Sequence, residues 1–395
     1  VLNAIKDLFR PRESELKPLN GLRALAIIFV VLNHYVIGII DKVALPESLK
    51  TIYLNLWSGV DLFFVLSGFL ISKGLWENWR KELKINFGSF YIKRTLRIFP
   101  AYYFFLIVTY LVGKTMLTVL EKKGTYGEIE SLKQILTNSW GDFLFLGNYI
   151  QGINTHTWSL SSEEQFYLIF PILCSVLFFR LGFKLRQLIL WIVYIVPLAC
   201  RIVTLYAIEG YSTPPYFKEI YYPFQTRFDS LIIGVIVMDF YMNRPSLGKF
   251  IEKYRIAYIS SIALFFSFVI ICHLISQDTG LFFAHTFKYN FLNIGYAGIL
   301  YLSIIKLESP LSKFLSSKIL TPIARLSYTI YLWHFILMGT AVMLLKIKPD
   351  MSLTMFHLKF FGMVIILIVL SLPLYLTIEV PFQKLRNRLR LNGSK

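Results

Sequence analysis

Charge is scarce in this sequence: only 16% of its 395 residues are Asp, Glu, Lys or Arg, against about 25% in an ordinary soluble domain. Its three cysteines, Cys174, Cys200 and Cys272, all fall inside apolar runs with no CxxC spacing. Neither a disulfide framework nor a metal site is expected from them. The six histidines are scattered without an HxxxH pair, so no metal enzyme is expected either. Low-complexity tracts, internal repeats and a second soluble domain are likewise not expected from the pattern.

What is present is apolar. Hydrophobic residues make up 56% of the chain and aromatic residues 17%, and mean hydropathy is +0.58. The apolar residues run in blocks long enough to cross a bilayer, where a soluble core would show amphipathic stripes. The sequence therefore predicts an all-α polytopic membrane protein of about ten transmembrane helices. Candidate spans lie near 22–40, 57–76, 98–118, 164–181, 187–207, 228–243, 256–275, 287–305, 326–346 and 357–378. A patch at 142–150 is too short to span and is expected at the interface or re-entrant.

Lys and Arg total 41 against 23 Asp and Glu, a net charge of +18. The basic residues alternate with the apolar blocks and form no cluster interleaved with exposed aromatics, so nucleic acid is not an expected partner. With the start placed in the cytoplasm, inner segments carry roughly 28 Lys and Arg and outer loops about 11. That asymmetry predicts an N-in, C-in topology. The expected organisation is a cytoplasmic lead-in at 1–20, an integral membrane domain at 21–383 and a basic cytoplasmic tail at 384–395. The lead-in is amphipathic, basic and without a small-residue cleavage site, unlike a signal peptide. The missing initiator Met and the final Gly393-Ser394-Lys395 are consistent with trimmed ends.

An ionisable residue in hydrocarbon is costly and usually faces a cavity or a partner, so each marks a candidate site. The first span begins Gly21-Leu22-Arg23-Ala24-Leu25 and continues to Asn33-His34. Eleven residues of helix return Arg23 and His34 to within about 20° of one face, about 16 Å apart along the axis. A polar stripe then leads from a cation at the cytoplasmic mouth to an imidazole near mid-bilayer. Histidine suits general-base work because it titrates near neutrality; a core histidine bonded between helices is the plainer alternative. The second span, from Gly59 to Phe69, holds Asp61, placed to cap or to orient His34. It also holds Ser67-Gly68, a pair that equally suits close helix packing.

Arg94 and Arg97 share a helix face at i, i+3. Paired guanidiniums grip phosphates bidentately, and they serve as well for a positive-inside anchor. Before the fourth span, Trp158-Ser159-Leu160-Ser161-Ser162-Glu163-Glu164 combines a capping box, Ser161-x-x-Glu164, with two adjacent acids beside a tryptophan. Arg227-Phe228-Asp229 opens the sixth span, either as a site element or as a local ion pair. The ninth carries Ser327-Tyr328 through His334, and the last is left through Glu379-Val380-Pro381-Phe382.

The ordered set of motifs is Arg23 with ten residues to His34, Gly59 to Phe69, Arg94-x-x-Arg97, Trp158-Ser159-Leu160-x-x-Glu163, Arg227-x-Asp229, Ser327-Tyr328 to His334, and Glu379-x-Pro381. In it the chain resembles the acyltransferase-3 family of bacterial membrane O-acyltransferases, over nearly its whole length. The resemblance implies a ten-helix enzyme of the bacterial inner (cytoplasmic) membrane. Its donor would be acyl-CoA, acetyl-CoA first, with no metal, and its acceptor a hydroxyl of a carbohydrate or lipid-linked glycan of the cell envelope. It also implies that His34 is catalytic and that Arg23, Arg94 and Arg97 are required.

Residues and resemblance together give an expected site. His34, Glu163 and Asp61 are catalytic, and Arg23, Arg94 and Arg97 hold acyl-CoA. Trp158, Ser67, Arg227, Asp229, Tyr328 and His334 bind substrate, and Glu379 and Pro381 are structural. Many members of that family add an outer helix and an extracytoplasmic hydrolase-like domain. Because this sequence stops at Lys395, the acceptor is expected to reach the membrane core directly unless a partner or further domain intervenes. A proton-coupled transporter or flippase would also place His, Glu and Arg in the membrane. The inverted repeats and paired broken helices common in transporters are not found.

Overall fold

The computed structural model describes residues 8–9, 15–39, 43, 45–124, 126–208, 216–276, 281–347 and 351–392. Most of the expected lead-in, and Gly393-Ser394-Lys395 of the expected tail, lie outside the described residues. Of the described residues 87% are helical and none lies in a strand, as expected of an all-α polytopic membrane protein. A helix satisfies its backbone N–H and C=O groups within one segment, which is what a chain in hydrocarbon requires.

In chain order the helices are α1 (Lys17–Ile39), α2 (Glu47–Leu54), α3 (Gly59–Glu82), α4 (Phe87–Lys123), α5 (Tyr126–Asn138), α6 (Trp140–Phe143), α7 (Trp158–Val176), α8 (Phe183–Ala207) and α9 (Asp229–Asn243). There follow α10 (Pro245–Lys253), α11 (Arg255–Leu274), α12 (Leu281–His285), α13 (Phe287–Ile305), α14 (Pro310–Leu315), α15 (Leu320–Leu344), α16 (Leu353–Leu374) and α17 (Val380–Asn392). Local chemistry sets the ends. The Asn86 side chain accepts the Ser89 N–H at 2.9 Å to start α4, and Gly124, at φ 74°, ends it in the left-handed region.

Eight helical stretches among the described residues are long and apolar enough to cross a membrane: Lys17–Ile39, Glu47–Glu82, Phe87–Lys123, Thr155–Arg180, Phe183–Ala207, Arg255–Leu274, Leu320–Leu344 and Leu353–Leu389. Eight of the ten expected spans fall on them. The other two, near 228–243 and 287–305, fall on α9 and α13. Helix α9 has only 15 residues, and α13 carries Lys288, Asn290 and Asn293 among its 19. Both are largely buried within the protein, so neither needs the length or apolar coat of a lipid-facing helix. By contrast, only 17% of the apolar window of α11 is buried. The patch at 142–150 falls on α6 and the turns after it, outside the eight stretches.

The chain divides into two compact units. The first comprises Val1–Gly74, Phe183–Leu198 and Asp229–Thr377. Within it α13 packs on α11 and α9, and α15 packs on α1 and α16. Helices α3 and α9 approach backbone to backbone: a Cβ at Gly68 would collide with the Leu231 carbonyl oxygen, and one at Gly234 with the Val65 carbonyl oxygen. The small-residue reading of Ser67-Gly68 is therefore realised in the packing. Buried Asp239 of α9 is caged by four donors: Arg186 Nε and a terminal Arg186 nitrogen at 3.0 and 2.6 Å, Gln187 Nε2 at 2.6 Å and Asn243 Nδ2 at 2.6 Å. The second unit comprises Leu75–Gly182, Ala199–Phe228 and Ile378–Lys395. In it α4 packs along α5 and α17, and the Tyr91 hydroxyl donates to the Leu168 carbonyl of α7 at 2.9 Å.

The Gly68 contact leaves no room for a methyl group. Gly68→Ala should lower stability by about 1–3 kcal/mol through overpacking, read as a lower unfolding temperature in detergent. Gly74→Ala, on the same helix with nothing within 4 Å of the added Cβ, serves as the control and should lose nothing. Equal unfolding temperatures for the two variants would contradict the close crossing of α3 and α9.

Candidate functional site

In the first unit, α1 carries Arg23, Asn33 and His34. Asn33 is buried, and its amide donates to the Tyr53 and Leu54 carbonyls, both at 3.0 Å. That bond ties α1 to the end of α2 one residue before His34. His334 comes from α15 and is fully buried. Its Nε2 lies 2.9 Å from His34 Nδ1, and its Nδ1 lies 2.7 Å from the Tyr331 carbonyl oxygen. The two imidazole planes are nearly parallel, 20° apart, with centroids separated by 4.9 Å. This is an edge-to-edge meeting of nitrogens, since face-stacked rings would lie closer. Phe335 packs beside both rings, at 4.6 Å from His34 and 4.3 Å from His334.

The other expected residues of this unit are distributed around the helices. Asp61 is buried in the first turn of α3, and its Oδ1 accepts the Ser230 hydroxyl at 2.8 Å. Asp229 is buried at the start of α9; its Oδ1 accepts the Ser230 N–H at 3.0 Å and its Oδ2 the Asn290 amide at 3.5 Å. Arg23, Ser67 and Tyr328 are half-buried.

In the second unit, Arg94 and Arg97 lie on α4. The Arg94 guanidinium stacks over the Tyr167 ring at 3.5 Å, while Arg97 is exposed. The charges acting on Arg97 are those of Arg94, Glu379 and Glu163, with the Tyr167 phenol beside them. Glu164 adds a further carboxylate that interacts with Arg94 and Glu163. Two arginines, three acids and an aromatic ring thus form one cluster, drawn from α4, α7 and the segment at Glu379. Glu379 is buried and accepts the Gln383 amide at 3.4 Å; Pro381 is exposed. Trp158 and Arg227 form a separate cage, in which the buried Arg227 guanidinium lies 5.2 Å from the Trp158 ring and 4.6 Å from the Tyr221 ring.

The capping box read at Ser161-x-x-Glu164 is not formed. Helix α7 begins at Trp158, so Ser161 lies inside its first turn. There its hydroxyl donates to the Thr157 carbonyl at 3.2 Å and accepts the Gly147 N–H at 3.2 Å.

Three polar clusters went unread in the sequence. One is the Asp239 cage. The second closes the end of α11: fully buried Lys288 donates to Asn55 Oδ1 at 2.6 Å and the Ile275 carbonyl at 3.0 Å, while the Asn55 amide donates to the His273 and Ile275 carbonyls at 3.0 Å. The third surrounds Asp142. Its Oδ1 accepts the Thr157 hydroxyl at 2.8 Å. Cβ atoms added at Gly147 and Gly152 would lie 2.7 Å from Oδ1 and 2.5 Å from Oδ2. The available signal was an acid in an apolar patch interleaved with Gly141, Gly147 and Gly152. Burial pushes the Asp142 carboxyl up from 3.8 to about 6, tempered by the Thr157 hydroxyl and the Asn154 backbone N–H.

Helices long and apolar enough to cross a membrane, a histidine pair between two of them, and an arginine–carboxylate cluster on α4 and α7 define a polytopic membrane protein with grouped polar side chains. The chain belongs to the Acyl_transf_3 family of acyltransferase domains, whose profile matches residues 17–376. It is similar to O-acetyltransferase OatA of Staphylococcus aureus strain NCTC 8325 / PS 47, 29% identical over 348 residues, 84% of this chain and 51% of OatA. It is also similar to the protein named putative O-acetyltransferase SAS0844 of Staphylococcus aureus strain MSSA476, 26% identical over 351 residues, 85% of this chain and 52% of that one. The chain therefore spans about half the length of the curated relatives it matches. No solved structure matches it significantly.

The Asp142 carboxyl carries a pH signature. Because its folded value is raised above the unfolded one, the folded state binds this proton more tightly. The resulting stability is full below about pH 4 and is lost as pH rises through about 6, on the order of 3 kcal/mol in all. Asp142→Asn should remove that component, so its advantage in unfolding temperature over the parent protein should grow between pH 5 and pH 8. Parallel pH profiles for the two proteins would contradict a buried, proton-retaining Asp142.

Proposed function

We propose that this chain transfers an acyl group, acetyl first, from acyl-CoA to a hydroxyl of a cell-envelope carbohydrate or lipid-linked glycan in a bacterial inner membrane. The observation that carries the reading is the His34–His334 pair held between α1 and α15. An imidazole there is held by a second ring and can accept a proton inside a lipid-embedded unit. Family membership and the names of the O-acetyltransferase relatives support the same chemistry. In this reading α9 and α13 also cross the bilayer, giving ten crossings, with 80–88 on the cytoplasmic side and the 119–133 segment outside.

The reaction is a direct transfer. The acceptor oxygen attacks the thioester carbonyl carbon while His34 Nε2 takes the hydroxyl proton. The C–S bond then breaks, and the departing thiolate of CoA takes the proton from the His34 imidazolium. Asp61 orients the polar groups of its own unit. Arg94 and Arg97 supply guanidinium forks for the phosphates of CoA, and Arg23 supplies a further cation in the first unit. Glu163 acts on the acceptor in the second unit. Ser67, Tyr328 and Asp229 in the first unit, and Trp158 and Arg227 in the second, are the substrate contacts assigned by the sequence pattern.

Two variants test the roles. His34→Ala should leave insertion and unfolding temperature intact while lowering transfer of labelled acetyl from acetyl-CoA by about 10²-fold or more. Near-normal turnover in the folded variant would remove His34 from the chemistry. Replacing both Arg94 and Arg97 by Lys keeps the topological charge but removes the planar forks and the stack on Tyr167. Affinity for a non-hydrolysable acyl-CoA analogue should fall at least about tenfold, each lost bidentate contact costing on the order of 1–2 kcal/mol. Unchanged affinity would make the pair a cytoplasmic anchor only.

A further inference from the structure

We infer that His334 is the positioning residue that sets the tautomer of His34, holding the His34 proton on Nδ1 and so making Nε2 the basic nitrogen of the ring. The inference rests on the reading of His34 as the base, and it assigns His334 a role other than substrate contact.

The tautomer is set from a backbone carbonyl. His334 Nδ1 lies 2.7 Å from the Tyr331 carbonyl oxygen, and a carbonyl oxygen only accepts. Nδ1 of His334 therefore carries a hydrogen. A neutral imidazole has one N–H and one bare nitrogen, and His334 is fully buried, where a charged ring would be costly. Its Nε2 is then an acceptor. The nitrogen 2.9 Å away is His34 Nδ1, which must be the donor. The proton of neutral His34 is thereby fixed on Nδ1, and Nε2 carries an in-plane lone pair.

The arrangement holds through the reaction. When His34 Nε2 takes a proton from the acceptor hydroxyl, the Nδ1–H bond to His334 is already made and need not reorganise, and it stabilises the cation that forms. An orienting group behind a base is the general logic of an activated nucleophile–base pair. Here the orienting group is a neutral imidazole, itself fixed by the helix on which it sits.

The test reads the ring nitrogens directly. In protein labelled with 15N-histidine and reconstituted in lipid, His34 is assigned as the resonance pair lost in His34→Ala. We expect Nδ1 of His34 to be protonated and Nε2 bare, and in His334→Phe we expect the proton to shift to Nε2. His334→Phe should lower kcat at least about tenfold with an unchanged KM for acyl-CoA. His334→Gln, which offers both an amide N–H and an amide oxygen, should recover part of the loss. An Nε2-protonated His34 in the parent protein, or a His334→Phe variant turning over at the parent rate, would overturn the inference. The two levels separate cleanly: if His34→Ala itself retains turnover, the base reading falls, whereas the nitrogen spectrum still decides whether His334 sets the tautomer.

Discussion

A polar group inside hydrocarbon costs several kcal/mol unless a partner satisfies it, and this constraint organises the molecule. It makes the chain helical. It also explains why polar side chains occur in groups: Asp239 receives four donors, Lys288 and Asn55 close the carbonyls at the end of α11, and Asn33 closes those at the end of α2. The same constraint selects which helices carry them. Helices α9 and α13 are largely enclosed by protein and hold Asp239, Lys288, Asn290 and Asn293, whereas the lipid-facing face of α11 is apolar.

Seen this way, the His34–His334 pair differs from the surrounding clusters. The Asp239 cage and the Lys288 clamp spend their polar atoms on one another or on backbone carbonyls, which is what a structural network does. In the histidine pair His334 is fully buried and bonded to the Tyr331 carbonyl and to His34, while the His34 ring on α1 is only half-buried. The arginine cluster of the second unit has a comparable imbalance: Arg94 is stacked on Tyr167, and Arg97 is exposed among acids. Groups held in place while keeping chemical capacity are those expected to meet a substrate.

Much of this was legible from local pattern. Long apolar runs gave the helical class, and the eleven-residue spacing put Arg23 and His34 on one helix in the right order. Ser67-Gly68 announced a close crossing. Pairings across the chain were not legible, because nothing in either helix specifies the other: His334 lies 300 residues beyond His34. One reading failed for a physical reason. Ser161 looked like a helix start because serine before an acid usually is one, but the helix had already begun at Trp158. The patch at 142–150 was read by its apolar residues, so Asp142, buried against Gly147 and Gly152, went unweighed.

In the proposed function these intramembrane groups move an acyl group rather than a whole solute. The most direct measurement is the release of CoA thiol by purified protein in proteoliposomes supplied with acetyl-CoA, with and without envelope glycan, alongside alkali-labile acetate on the glycan. Acyl transfer requires thiol release that depends on the glycan and matches ester formation mole for mole. Glycan or proton movement across the bilayer with no thiol released would contradict it.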